Sequence, residues 1–218
     1  MRHAALLVIV VSILTGAATV RADAVLFDFE EFEASSERFI HPGTYNVLEC
    51  HVGLLSVIIS RTDGDSFDVV EVTQPAFDAS WGGRALDPWY GYEDATDGWF
   101  IATFSIPVTY VRLQMTDFGQ DSDTAYIKAY SSVFGLGDFV GEASAFWGTA
   151  SAPQYVTVEF EASDGDSFMS IMFRGYSSVL SNSMYVDNLT VEPIFIPEPA
   201  AASVLGVGLV VLASRRRK

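Results

Sequence analysis

The 218-residue chain contains one cysteine, Cys50, so no intrachain disulfide can form. Basic residues are scarce. There are 12 Lys and Arg against 28 Asp and Glu, a net charge of −16, and Arg215, Arg216, Arg217 and Lys218 stand together at the C-terminus. Between Asp23 and Pro197 the balance is 27 acidic to 6 basic residues, a net of −21. Such a surface repels phosphate backbones and lacks a basic patch, so DNA and RNA are excluded as partners. Of the 3 histidines only His41 and His51 lie beyond the N-terminal segment. The Gly-x-Ser-x-Gly elbow, the His-Glu-x-x-His pair, the phosphate loop and metal-spaced cysteine pairs are all missing. A two-carboxylate glycoside hydrolase leaves no local spacing to find and stays open, but no pattern asks for it. The chain is read as not an enzyme. Cys50, near His41 and His51, sits in an apolar run (Val47, Leu48, Val52, Leu54, Leu55) and is read as a small buried hydrophobe.

Long uncharged runs are confined to the ends. Arg2 and His3 precede an apolar stretch from Ala4 to Leu14, and small residues close with Val20-Arg21-Ala22. This is the layout of a secretory signal peptide, residues 1–22, cleaved after Ala22 or Ala24. At the other end Pro197-Glu198-Pro199 precedes an uncharged segment, 200–214, and a basic tail, 215–218. Retained positive charge orients that segment with its C-terminus inside and the acidic domain outside. Fifteen helical residues span only about 22 Å against a ~30 Å hydrocarbon core, which suits a transient stop better than a lasting anchor.

These C-terminal parts resemble the PEP-CTERM sorting signal, with Pro197, Glu198 and Pro199 as the motif and Arg215, Arg216 and Arg217 in the terminal cluster. The resemblance implies an exosortase as processing partner and a membrane stage through the helix. It also implies delivery to the cell surface or extracellular matrix in an exopolysaccharide context. Residues 194–218 are assigned to this signal and 23–193 to the exported domain.

Within that domain helical periodicity is hard to find, while strand patterns recur near 25–30, 45–51, 54–60, 66–73, 99–105, 109–117, 124–131, 154–161, 168–174 and 184–192. Short strands with turn punctuation predict an all-β, antiparallel β-sandwich of jelly-roll type. Asp-Gly-Asp-Ser-Phe occurs twice, at Asp63–Phe67 and Asp164–Phe168, and is read as two hairpin turns because Gly accepts positive φ. Phe27-Asp28-Phe29-Glu30 and Met184-Tyr185-Val186-Asp187-Asn188-Leu189 resemble the first and last strands of exported galactose-binding and carbohydrate-binding modules. That resemblance implies a structural Ca²⁺ held by Glu30 and Asp187, with Asp28 or Glu31 as further ligands. The dense acid of the domain either keeps an exported surface soluble or attracts such cations.

Trp81, Trp89, Tyr90, Tyr92 and Trp99 collect in one Gly- and Asp-rich stretch. Flat rings beside carboxylates suit a sugar surface, since rings stack on pyranose faces while acids accept from hydroxyls. The same rings would also hold a long loop together without a ligand. The functional expectation is therefore a structural or adhesive surface protein, with a carbohydrate-binding module for extracellular polysaccharide as the alternative.

Overall fold

The computed structural model describes residues 20–21, 23–32, 44–64, 67–71, 83–87, 98–117, 123–147, 155–163, 165–177 and 184–195. The chain divides into two units, Met1–Ala22 with Ile194–Lys218, and Asp23–Pro193. In the first unit a two-residue strand, β1 (Val20–Arg21), pairs antiparallel with Ile194 and Phe195. The apolar segments and the Pro-Glu-Pro and arginine motifs lie outside the described residues. Among the described residues no helix is long and apolar enough to cross a membrane.

The second unit is built from alternation of apolar and polar side chains. The strands are β2 (Val25–Phe27), β3 (Thr44–Tyr45), β4 (Leu48–Val52), β5 (Leu55–Arg61), β6 (Phe67–Glu71), β7 (Arg84–Asp87) and β8 (Phe100–Asp117). They continue with β9 (Asp123–Tyr130), β10 (Phe139–Trp147), β11 (Tyr155–Glu161), β12 (Phe168–Ser177) and β13 (Met184–Phe195). In β5 the residues Leu55, Val57, Ile59 and Arg61 are buried and the intervening ones half-buried, as expected of a strand with one face on a core.

Among the described residues all pairings are antiparallel, and they adopt the expected all-β class. Strand β8 is shared between two blocks. Its first half lies between β5 and β12, giving the order β4-β5-β8-β12-β9-β10. Its second half lies between β11 and β13, and β13 leads through β7 and β6 to β3, with β2 also on β13. The inward residues of β8 run Phe100, Ala102, Phe104 and Val108, then Val111, Leu113 and Met115, all buried. That change of parity matches a bulge at Thr109, which the ladder with β13 skips between Val108 and Tyr110.

One apolar cluster joins both blocks. Phe100 is its hinge, with its ring 5.2 Å from Phe67 edge-on and 5.1 Å from Phe173 in a stack. Each fully buried Phe contributes roughly 1.5–3 kcal/mol.

Several expectations are corrected. The strands expected at 99–105 and 109–117 are one strand, which runs on through Pro107. The strand expected at 45–51 is two, β3 and β4. Strand β7 escaped notice because its apolar residues, Ala85 and Leu86, are adjacent rather than alternating. Strand β10 was hidden because its inward residues, including Ala143 and Ala145, are small. Neither Asp-Gly-Asp-Ser-Phe segment closes a hairpin. β5 pairs with β4 and β8 while β6 pairs with β3 and β7, and β11 pairs with β8 while β12 pairs with β8 and β9. Both segments turn through a positive-φ glycine, Gly64 at 78° and Gly165 at 90°, and carry the chain from one block to the other in opposite directions. The buried Phe67 and Phe168 that end them anchor each crossing in the core.

Candidate functional site

Two places on the described surface concentrate chemistry. The first begins with Trp99, just before β8. The N–H of Thr62 donates to the Trp99 carbonyl at 2.9 Å, which ties this residue to the end of β5. Buried Arg61 clasps Asp63 through Nε at 3.0 Å and through Nη2, and its guanidinium lies against Gly98. A side chain at residue 98 would displace that guanidinium from where it lies, so glycine lets Arg61 pack against the residue before Trp99.

Two cations lie within 5 Å of the Trp99 ring centroid. Arg174 Cζ lies 4.3 Å and Lys128 Nζ 4.9 Å from its centroid, and Arg174 also lies 5.6 Å from the Tyr176 ring. Strand register explains the assembly. Arg174 is opposite Tyr126, Tyr176 opposite Thr124, and Lys128 between Met172 and Glu142. Cross-strand partners share a face, so Tyr126, Lys128, Arg174 and Tyr176 stand on the outer face of the first block, opposite buried Ala125, Ile127, Ala129 and Phe173.

At one end of this face the β9–β10 connection folds back over the sheet. Its 3-10 turn, Val133–Gly135, is held by three hydrogen bonds. The Phe134 N–H donates to Thr103 Oγ1 at 3.1 Å, the Gly135 N–H to Ser170 Oγ at 2.9 Å, and the Ser170 hydroxyl to the Ser132 carbonyl at 2.5 Å. These bonds hold Phe134 at φ 57°, the left-handed region that costs a bulky side chain about 1–2 kcal/mol. Phe134, Leu136 and Phe139 remain largely exposed along this rim, and the Phe139 ring meets Tyr130 edge-on at 6.0 Å.

The second place is a bulge in β13. Pairing with β8 shifts between Asp187 and Thr190, Asn188 takes φ 53°, and Asn188 Nδ2 donates to Gln114 Oε1 at 2.8 Å. The bulge buries the Asp187 carboxylate completely. Its Oδ1 accepts from the Asn188 N–H at 2.7 Å, while Oδ2 has no hydrogen-bond partner among the described residues. Burial, helped by the charges of Glu30 and Asp28, pushes the Asp187 pKa up to about 8 against the pull of that N–H. The structure thus brings the two expected calcium ligands into one electrostatic neighbourhood. Glu30 Oε1 already accepts from the N–H groups of Gly83 and Arg84, at 2.5 and 2.9 Å. No group of three or more His, Cys, Asp or Glu able to hold a metal forms among the described residues. The feature there that a cation would answer is the Asp187 Oδ2, buried and without a hydrogen-bond partner among the described residues.

Nearby, Cys50 is buried, and burial with Glu31, Asp28 and Glu49 raises its thiol pKa to about 12. The reading of Cys50 as a core residue agrees with this.

Of the aromatic residues singled out from sequence, Trp99 is described, and Trp81, Trp89, Tyr90 and Tyr92 lie outside the described residues. So do Pro197, Glu198, Pro199 and Arg215 to Arg217. Sequence reasoning missed Tyr126, Lys128, Arg174 and Tyr176. Their signal was the period-two pattern of β9 and β12, legible once those strands are known to be neighbours.

No protein-family profile and no curated protein matches the chain. Solved structures do. A cleaved adhesin domain of Lys-gingipain is 16% identical, with 78% of this chain and 99% of that one covered and a TM-score of 0.45. A family 11 carbohydrate-binding module from Clostridium thermocellum, in complex with a mixed-linked tetrasaccharide, is 17% identical over 70% of this chain and 96% of its own, with a TM-score of 0.35. A carbohydrate-binding module that recognises mannan is 14% identical over 80% and 98%, with a TM-score of 0.35.

Proposed function

We propose that this chain is a non-catalytic glycan-binding module carried on an exported surface protein. The observation that supports it is the outer face of the first block, where Trp99, Tyr126 and Tyr176 are arranged on a rigid sheet. Rings held by a sheet present flat apolar surface to pyranose faces at little entropic cost. On this reading carbohydrate binding, the alternative expected from sequence, stands ahead of a purely structural role. The test is saturable binding of soluble polysaccharides by the purified protein, weakened roughly thirtyfold in Trp99→Ala. A parent that binds no glycan, or a variant that binds as the parent does, would defeat the proposal.

The export route belongs to the same reading. A signal peptide, the Pro-Glu-Pro motif at 197–199 and a basic terminus support processing by an exosortase and release from the inner membrane to the surface or matrix. Mass spectrometry of mature protein still ending in Arg-Arg-Arg-Lys, in cells that make the processing enzyme, would contradict it. Glu30 and Asp187 are proposed to hold a structural Ca²⁺ that neutralises the buried carboxylate. Added Ca²⁺ should raise the melting temperature of the parent and not that of Asp187→Ala.

A further inference from the structure

Resting on the glycan-binding reading, we infer that the ligand is a linear, neutral polysaccharide lying across the strands of the first block, its internal sugars seated on a stripe of rings from Phe146 to Trp99. Strand register sets the stripe. Phe146 of β10 is opposite Thr124, which is opposite Tyr176, and in the next outward row Ser144 is opposite Tyr126 and Tyr126 opposite Arg174, whose guanidinium lies by Trp99. In the order β10-β9-β12-β8 each strand therefore brings one ring, Phe146, Tyr126, Tyr176 and, just before β8, Trp99. Strands of one sheet stand about 4.8 Å apart, so the four rings extend over roughly 15 Å. Phe146 is 67% exposed and Tyr176 39%, while Tyr126 and Trp99 are half-buried. The residues of β10 that pack on the core are Ala143 and Ala145, so the Phe146 ring stands on the outer side of an edge strand. One exposed ring is ordinary on a protein surface, but a file of four across four strands is a contact surface.

Two features fix how a glycan lies on it. Along the strands the face is closed, because the β9–β10 turn sits on its other end with the N–H groups of Phe134 and Gly135 bonded to Thr103 and Ser170, both buried. There the rings stop at Phe139 and Tyr130. Across the strands the described surface is open, from Phe146 at the β10 edge to exposed Thr62 beyond Trp99. A chain lying this way continues past both sides, so internal sugars bind and no chain end is needed. The spacing between strands is close to the advance per sugar of an extended, ribbon-like pyranose chain, and successive sugar faces then meet successive rings. A flexible α-linked chain such as dextran loses more freedom on being flattened against the stripe. Charge selects against polyuronates, since 27 acidic residues against 6 basic ones between Asp23 and Pro197 repel a polyanion at long range.

The experiment titrates the parent, Phe146→Ala and Phe139→Ala with cello- and manno-oligosaccharides from disaccharide to hexasaccharide, and with dextran and polygalacturonate. Affinity for the parent should rise with each added sugar up to about four and then level, as the length of the stripe requires. Phe146→Ala should weaken hexasaccharide binding on the order of tenfold, the scale of one lost ring contact, and leave the disaccharide unchanged. Phe139→Ala removes the same residue type from the same strand at the closed end, and should bind as the parent does. Both rings are more than half exposed or at that level, so melting temperatures near the parent's are expected, and the length series on the parent tests the inference without any variant. Affinity that stops rising at the disaccharide would overturn the inference, as would hexasaccharide binding equal in the parent and Phe146→Ala, or weakened as much by Phe139→Ala. So would dextran or polygalacturonate bound as tightly as the hexasaccharide. In each of these cases the glycan-binding reading survives, whereas a parent that binds no glycan removes both.

Discussion

The outer faces of the two strand blocks differ in kind, although one strand, β8, contributes to both. On the first block the face is mixed, with half-buried Trp99 and Tyr126 and exposed Tyr176 interleaved with Lys128 and Arg174. On the second block, Gln114, Thr116, Tyr185 and Asp187 point away from the apolar core and are nonetheless buried. Alternation alone would have made both faces wet. The first block buries Thr103 and Ser170 under the β9–β10 turn but leaves Tyr176 exposed, whereas the second seals Gln114, Thr116, Tyr185 and Asp187. Rings and cations reachable from solvent are interaction chemistry, whereas a buried carboxylate is structural chemistry with an electrostatic cost.

That contrast can be tested from its shared foundation outward. Phe100 packs between Phe67 of the second block and Phe173 of the first, so Phe100→Ala should destabilise the whole domain by about 3–5 kcal/mol in one cooperative transition by chemical denaturation. Separate unfolding of the two blocks would break the picture of a common core. The next effect belongs to the second block alone. Asp187 has a folded-state pKa of about 8 against an ordinary 3.8, so the metal-free folded protein holds a proton that the unfolded chain has released. The stability this group contributes is present below about pH 4 and is lost as pH rises through about 8. In chelator, Asp187→Asn should therefore gain on the parent with rising pH, by about 1–3 kcal/mol at the alkaline end. A pH-independent difference would show that the carboxylate is not held neutral by burial.

Binding should then separate the faces. Trp99→Ala should weaken glycan binding roughly thirtyfold, the scale of an interface hot spot. Tyr110→Phe, which removes a hydrogen bond to Glu159 on the second block, should leave binding unchanged. Equal loss in both variants would mean that the first face is not the binding face. The smallest effect concerns the rim. Asn tolerates the left-handed conformation of Phe134, so Phe134→Asn should raise stability by about 0.5–1 kcal/mol in thermal denaturation. A loss instead would show that the exposed ring contributes more packing than its strain costs.

How much of this was legible follows the range of the interactions. Strand β5 could be read directly, because Leu55, Val57 and Ile59 alternate with Ser56, Ile58 and Ser60 and their burial obeys that period. Asp187 was found through a strand motif, but its burial came from a bulge that no local pattern announces. Trp99 was found as a ring in an aromatic stretch. Its cationic partners were not, since Lys128 and Arg174 lie far along the chain and meet it only through the order β9-β12-β8. The two Asp-Gly-Asp-Ser-Phe segments show the same limit from the other side. Their glycines were rightly taken as turn formers, but a turn's local chemistry does not say which strands its flanks will pair with.

Sequence by itself determined the β class of this protein, its acidity and which residues turn or bury, because period-two alternation, charge and backbone freedom are local properties. Tertiary structure alone decided that β8 would serve both blocks, that Asp187 would be sealed at a bulge, and that two scarce cations would meet over Trp99. Those outcomes depend on strand order and register, which are set by how distant apolar faces close on one core.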